Sequence, residues 1–188
     1  MKELLLEYLP LLIYAALFLV MKICERIVLS RPENNIRRGW GDWTVWLILI
    51  PLWLTLLGPA AEFILLEFRP EVWEMALGGT LFIAAGFFSV KGYLDLERGL
   101  ARAEGLEDTG MVILGLYHTI RHPVSLGNIL FCFACPLFLA AGPSWIPALI
   151  GVLGVMLRTS IEDSFMQQYI PDYAAYKERT WALIPFIY

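Results

Sequence analysis

Charge is scarce in this chain, and the residue types that build familiar soluble sites are scarcer still. Asp, Glu, Lys and Arg make up 17% of the 188 residues, against about 25% in a soluble domain. Apolar residues reach 59%, which excludes an ordinary soluble domain and indicates an integral membrane protein. Histidine occurs twice, as His118 and His122. Their i, i+4 spacing suits a metal, but a catalytic zinc takes three protein ligands and Thr119 stands where H-E-x-x-H has Glu. Glu162 would have to complete the set, and no metal is expected. Three cysteines give no disulfide framework. Cys132 and Cys135 form a C-x-x-C inside the apolar run 129–140, where hydrocarbon disfavours a thiolate, so they read as small packing residues. A cleavable leader is not evident either. Lys2 is the only early positive charge, Glu3 and Glu7 intrude, and no small-x-small site follows, so the first apolar run is expected to be retained.

What is present is a succession of apolar runs of membrane-crossing length. Residues 8–23 give a first span, and 43–57 a second, with Trp40, Trp43 and Trp46 as an interfacial belt and Gly58-Pro59 expected to end or kink it. A third span covers 72–90, where Gly78, Gly79 and Gly86 allow close helix approach. A polar stretch, 91–122, leads to a fourth span over 124–140 and a fifth starting over 145–157. The turn Ala141-Gly142-Pro143-Ser144 between them is too short for anything but an antiparallel helical hairpin. Twelve of the 14 Lys and Arg residues, from Lys22 and Arg26 through Arg31, Arg37 and Arg38 to Lys177 and Arg179, fall on one side of this arrangement. Only Lys2 and Arg69 fall opposite. The expectation is an all-α integral membrane protein of about five transmembrane helices, N-terminus outside and C-terminus cytoplasmic, ending in a cytoplasmic C-terminal helix. Residues 1–188 form a single membrane domain: 1–104 hold the first three spans and 105–188 the chemistry-bearing part.

Two ionisable patches emerge on the cytoplasmic side, at the open end of the hairpin. The first reads Gly115-x-Tyr117-x-x-x-Arg121-His122-Pro123, followed by Ser125 and Gly127. Pro123 disfavours a helical His122 and suits the first position of the fourth span. Arg121 and His122 are thus expected to be exposed near a helix N-terminus, well placed to hold a carboxylate. The second patch is Arg158 and Glu162, four apart and so on one helix face, with Asp163 alongside. Taken singly, Arg158 is as well explained by snorkelling at a helix end. The hairpin forces both patches together, which favours function. Beyond them, Phe165, Met166, Tyr169, Tyr173 and Tyr176 continue an amphipathic pattern interrupted by Pro171. That tail either anchors at the interface or roofs a pocket.

These motifs resemble the signature of the isoprenylcysteine carboxyl methyltransferases and the related membrane phospholipid methyltransferases. The resemblance rests on Gly115-x-Tyr117-x-x-x-Arg121-His122-Pro123 with Gly127, on Arg158-x-x-x-Glu162-Asp163, on Tyr173-x-x-Tyr176 and on Pro185, and it covers about residues 105–187. It implies S-adenosylmethionine as cofactor and a lipid or lipid-linked acceptor entering from the bilayer, with no nucleic-acid partner. By position it implies cofactor contacts at Met111, Val112, Tyr117, His122, Pro123 and Ser125, with Glu162 on the cofactor's amino group. Arg158 would hold the acceptor's carboxylate, and Arg121 is placed with Arg158 and Glu162 in the catalytic set. Thr109, Ser125 and Ile170 depart from the family pattern, which bears on the pocket and acceptor more than on the fold. Sterol and isoprenoid reductases share the architecture, so reduction by a nicotinamide cofactor is the runner-up. A non-enzymatic scaffold or transport protein is the third reading.

Overall fold

The computed structural model describes residues 6–29, 44–103, 113–170 and 172–185. Arg31, Arg37, Arg38, Trp40, Trp43, Thr109, Met111, Val112 and Pro171 lie outside them. The described residues form helices α1 (Leu9–Leu29), α2 (Thr44–Leu65), α3 (Val72–Ala103), α4 (Pro123–Phe138), α5 (Trp145–Tyr169) and α6 (Tyr173–Arg179), with a 3₁₀ turn at Gly115–His118 before α4.

Three of these helices are long and apolar enough to cross a membrane: α2 over Ile48–Leu65, α3 over Val72–Gly99 and α5 over Trp145–Tyr169. α4 is apolar but has 16 residues, about 24 Å at 1.5 Å per residue against a hydrocarbon core of about 30 Å. The outward faces carry Ile50, Trp53, Leu57, Ile83, Phe87, Leu149 and Leu153, all exposed. Apolar surface of that extent suits lipid rather than water.

Two expected boundaries are overrun. α2 does not stop at Gly58-Pro59 but continues to Leu65 with Pro51 and Pro59 inside it. In hydrocarbon an ended helix leaves backbone groups without partners, so a proline that would break a helix in water is carried along. Gly58 has a second reason to be there: a Cβ at this position would collide with the Ser144 hydroxyl at the start of α5. Likewise α3 runs on past Val90 to Ala103, because Lys91 and Asp95 sit one turn apart and form an ion pair that keeps the emerging helix intact.

α3 is the centre of the bundle, in contact with α1 on one side and α4 on the other. Small residues let the α3 and α4 backbones close along their full length. A Cβ on Gly78 would lie 2.6 Å from the Phe138 amide nitrogen, and one on Gly92 would lie 2.8 Å from Val124 Cγ2. Around this seam Tyr14, Phe82, Phe131 and Phe138 pack ring against ring, Phe82 lying 5.5 Å from both Tyr14 and Phe131 in edge-on geometry. The Tyr14 hydroxyl donates to the Leu56 carbonyl at 2.7 Å, satisfying a polar atom in an apolar core.

The seam sets where the start of α4 lies, and it is testable. A methyl group on Gly127 would meet the Ala85 carbonyl oxygen at 2.9 Å and the Ser89 amide nitrogen at 3.0 Å, both backbone atoms. Gly127→Ala is therefore expected to force α3 and α4 apart at a cost of about 1–3 kcal/mol. Thermal unfolding in detergent should show the loss, and an unchanged midpoint would contradict the close seam.

Candidate functional site

Residue 122 marks the change from turn to helix. His122 has φ −125° and ψ 62°, outside the helical region, and Pro123 is the first residue of α4, as the Arg-His-Pro order predicts. The strand-like stretch before it is held by the tail. The Arg121 amide donates to the Trp181 carbonyl at 2.8 Å, His122 to Ala182 at 3.1 Å, and Trp181 back to Thr119 at 2.9 Å. Ile120 and Trp181 thus form a parallel bridge. The tail is a strap across the motif as well as a terminus.

On the facing helix, α5, the residue that receives the motif is Asp163. It is 6% exposed, and four side chains from two elements, the motif and α6, converge on it. The Arg121 guanidinium approaches as a fork, Nε at 3.3 Å from Oδ1 and Nη2 at 3.0 Å from Oδ2. His122 Nε2 lies 2.8 Å from Oδ1, and the Tyr173 hydroxyl donates to the same oxygen at 2.6 Å. Lys177 Nζ completes the surround at 3.9 Å from Oδ2. Arg121 also donates through Nη1 to the Thr180 carbonyl and, at 3.1 Å, to the Lys177 carbonyl. Tyr176 donates to the Tyr117 carbonyl at 2.6 Å. Motif, α5 and tail are therefore tied through one buried carboxylate.

Arg121 departs from the expectation set for it. It is buried rather than exposed, and the carboxylate it holds is the chain's own. Its nitrogens are engaged by Asp163, Lys177 and Thr180. Glu162 and Arg158 differ. The Glu162 side chain is 40% exposed, accepts from Arg158 Nε at 2.8 Å and lies 3.6 Å from His122 Nδ1. The two patches therefore meet as the hairpin predicted, in two layers: a buried set, Arg121, Asp163 and His122, whose side chain is 11% exposed against the exposure expected of it, and a more exposed pair, Arg158 and Glu162.

Pro123 is buried, and Tyr117 and Ser125 are half-buried near the same end of α4. An open groove of about 410 Å³ lies nearby, between the turn and α6, with Ile113, His118, Tyr176 and Arg179 among its walls. Neither Arg158 nor Glu162 is among its described lining residues, so the groove and the exposed charge set are separate features. Among the described residues no group of three or more His, Cys, Asp or Glu side chains is arranged to hold a metal.

Electrostatics reinforce the network. Burial raises the hydroxyl pKa of Tyr117, Tyr173 and Tyr176, the last pushed up to about 12, so Tyr173 and Tyr176 stay protonated as the donors to Asp163 and to the Tyr117 carbonyl. For His122, burial works against the charged form, but the hydrogen bonds and negative charges of Asp163 and Glu162 outweigh it and raise the pKa above its ordinary 6.5. A raised folded-state pKa gives stability that is fully present below pH 6.5 and is lost as pH rises through the folded value. The unfolding midpoint in detergent is accordingly expected to fall as pH is raised through that window. His122→Gln should remove that part of the slope, and an unaltered slope would remove His122 from the network.

Two residues of this site have no role assigned by the sequence, although Asp163 closes the Arg158-x-x-x-Glu162-Asp163 motif. Asp163 stood beside Glu162, and the Thr159–Asp163 spacing on the inner face of α5 was the available clue. Asp95, whose carboxylate accepts from the Leu116 amide at 2.8 Å, lies on a different helix from the motif, and nothing local marked it. No protein-family model matches the chain, and no curated protein shows a significant match to it.

Proposed function

We propose that this chain is a membrane-embedded, S-adenosylmethionine-dependent methyltransferase acting on a lipid or lipid-linked acceptor, with a carboxylate as the favoured nucleophile. The observation that carries this reading is the partly exposed Arg158–Glu162 pair, held 3.6 Å from His122 at the open end of an apolar hairpin. The motif resemblance supplies the chemical class.

The residues present fit such a cofactor and acceptor by charge. Glu162 offers a partly exposed carboxylate to an ammonium group, and Arg158 offers a guanidinium to a carboxylate. When bound, the cofactor supplies an electrophilic methyl group and a sulfur leaving group. What this chain must add is alignment, because a carboxylate is already nucleophilic at neutral pH. Arg158 orients the acceptor. Glu162 and His122 hold the cofactor end, with Tyr117, Pro123 and Ser125 beside them. Arg121 and Asp163 fix the backbone on which these sit. The apolar helices on either side exclude water and give a lipid tail a lateral route in.

In this reading α1 and α4 cross the bilayer together with the three longer helices, giving five spans with the N-terminus outside and the site facing the cytoplasm. The one-sided placement of Lys and Arg supports it. So does α1, which exposes Leu12, Leu19, Val20 and Ile23 along 21 residues.

Calorimetric titration of the detergent-solubilised full chain with S-adenosylmethionine and with NADPH tests the proposal. Binding of S-adenosylmethionine is expected. Binding of NADPH alone would move the assignment to a reductase, and binding of neither would sink both enzymatic readings.

A further inference from the structure

The turn that carries Tyr117 is anchored from outside the motif. Asp95 lies on α3, 21 residues before Leu116, and is 3% exposed. One of its oxygens pairs with Lys91 a helical turn earlier, and the other accepts from the Leu116 amide at 2.8 Å. Leu116 belongs to the 3₁₀ turn, whose first amides have no partner within the turn itself. An ionised acceptor at that position is therefore worth more than a neutral one. Gly115 shows how close the two elements are. It has φ +56°, and a Cβ there would overlap the Asp95 carboxylate. Glycine is required on both counts, for the left-handed conformation and for the approach.

From the other side, Tyr176 on α6 donates to the Tyr117 carbonyl at 2.6 Å. The turn is thus gripped by α3 below and α6 above. It leads within three residues to Arg121 and His122, which Asp163 holds. A displaced turn would shift Tyr117 and loosen the lead into His122, while α5 with Arg158 and Glu162 would stay where it is.

We propose that Asp95 is a positioning residue for the site: its carboxylate fixes the Gly115–His118 turn and so sets the affinity for the cofactor. This rests on the methyltransferase reading above. Asp95 touches neither cofactor nor acceptor in this scheme and acts only through the Leu116 amide and the space left by Gly115.

The experiment compares the full-length wild-type chain with Asp95→Ala, Asp95→Asn, Lys91→Met and Gly115→Ala, all in detergent. Hydrogen exchange across residues 114–120 is read beside the calorimetric affinity for S-adenosylmethionine. Asp95→Ala is expected to speed exchange in the turn, leave residues 145–157 unchanged, and weaken the cofactor roughly tenfold, the scale of losing a charged hydrogen bond. Asp95→Asn keeps an oxygen that can accept from Leu116, though without the charge, and should recover part of both. Lys91→Met removes only the ion pair and should have a small effect. Gly115→Ala should reproduce the Asp95→Ala phenotype from the opposite side of the contact, which keeps the test valid if Asp95→Ala does not fold. An unchanged turn in both variants would overturn the positioning role, as would an Asn variant no better than Ala. A wild-type chain that binds no S-adenosylmethionine, with a turn that still loosens in Asp95→Ala, would overturn the methyltransferase reading and the affinity claim and leave the anchor itself standing.

Discussion

Asp163→Ala is expected to be the most destabilising single substitution in the part of the chain that builds the polar site. The residue is 6% exposed and its partner Arg121 is 9% exposed, so removing the carboxylate strands a buried guanidinium. Breaking a buried pair from one side costs about 3–5 kcal/mol, several-fold more than an exposed pair is worth. His122, Tyr173 and Lys177 lose a partner at the same time. The damage should be local. The tail strap over 180–183 depends on Arg121 for its carbonyl contacts, whereas the Tyr14–Phe82–Phe131 core lies elsewhere. Limited proteolysis should therefore cut the tail first, before the helices unfold, with a lowered unfolding midpoint. Removing both charges at once should hurt less than the sum of the single losses, since neither is then left unpaired. A tail as resistant as that of the wild type would show that the strap is held by something other than this network.

The hairpin was the part of the site most legible in sequence. A four-residue turn between two apolar runs leaves one topology, and that topology by itself brings residues 121–122 against residues 158–163. Which carboxylate would meet Arg121 was not legible. Glu162 and Asp163 are adjacent in the chain, yet about 100° apart around the helix, so one faces inward and the other outward. The choice depends on how the tail folds back, and the contacts that decide it involve Tyr173, Lys177 and Thr180. The exposure expected of Arg121 failed for the same reason: nothing near it in sequence showed that Trp181 and Ala182 would pair with its strand.

The helix ends do not follow the rules that hold in water. Gly58-Pro59 reads as an end or a kink, and the segment with Lys91, Asp95, Glu97 and Arg98 reads as a polar stretch. In the structure α2 passes through both prolines, while α3 emerges as an amphipathic extension with Asp95 and Glu97 buried. Periodicity located the apolar runs, but the segments that continue them into the polar face are the ones that position the site.

Glu162→Ala should separate ligand binding from folding, and the contrast with its neighbour is what makes it decisive. Glu162 is 40% exposed, and its ionic partners Arg158 and His122 each keep other contacts: Arg158 has a further interaction, and His122 retains Asp163. Its loss should therefore leave stability within about 1 kcal/mol of wild type, the usual worth of a solvent-screened pair. If Glu162 holds the ammonium of S-adenosylmethionine, deleting it removes a charge-assisted contact to the ligand. Affinity should then fall by roughly ten- to a hundredfold, the range for a hydrogen bond to a charged group. Glu162→Gln, which keeps the shape and one acceptor oxygen, should lie between the two. The decisive pairing is calorimetry beside thermal unfolding on the same preparations: an Asp163 variant that loses stability and a Glu162 variant that loses ligand would assign the two adjacent carboxylates to different tasks. A Glu162→Ala chain that binds the cofactor as tightly as the wild type, with an unchanged midpoint, would remove Glu162 from the site and leave the Arg158–Glu162 pair as a helix-surface contact.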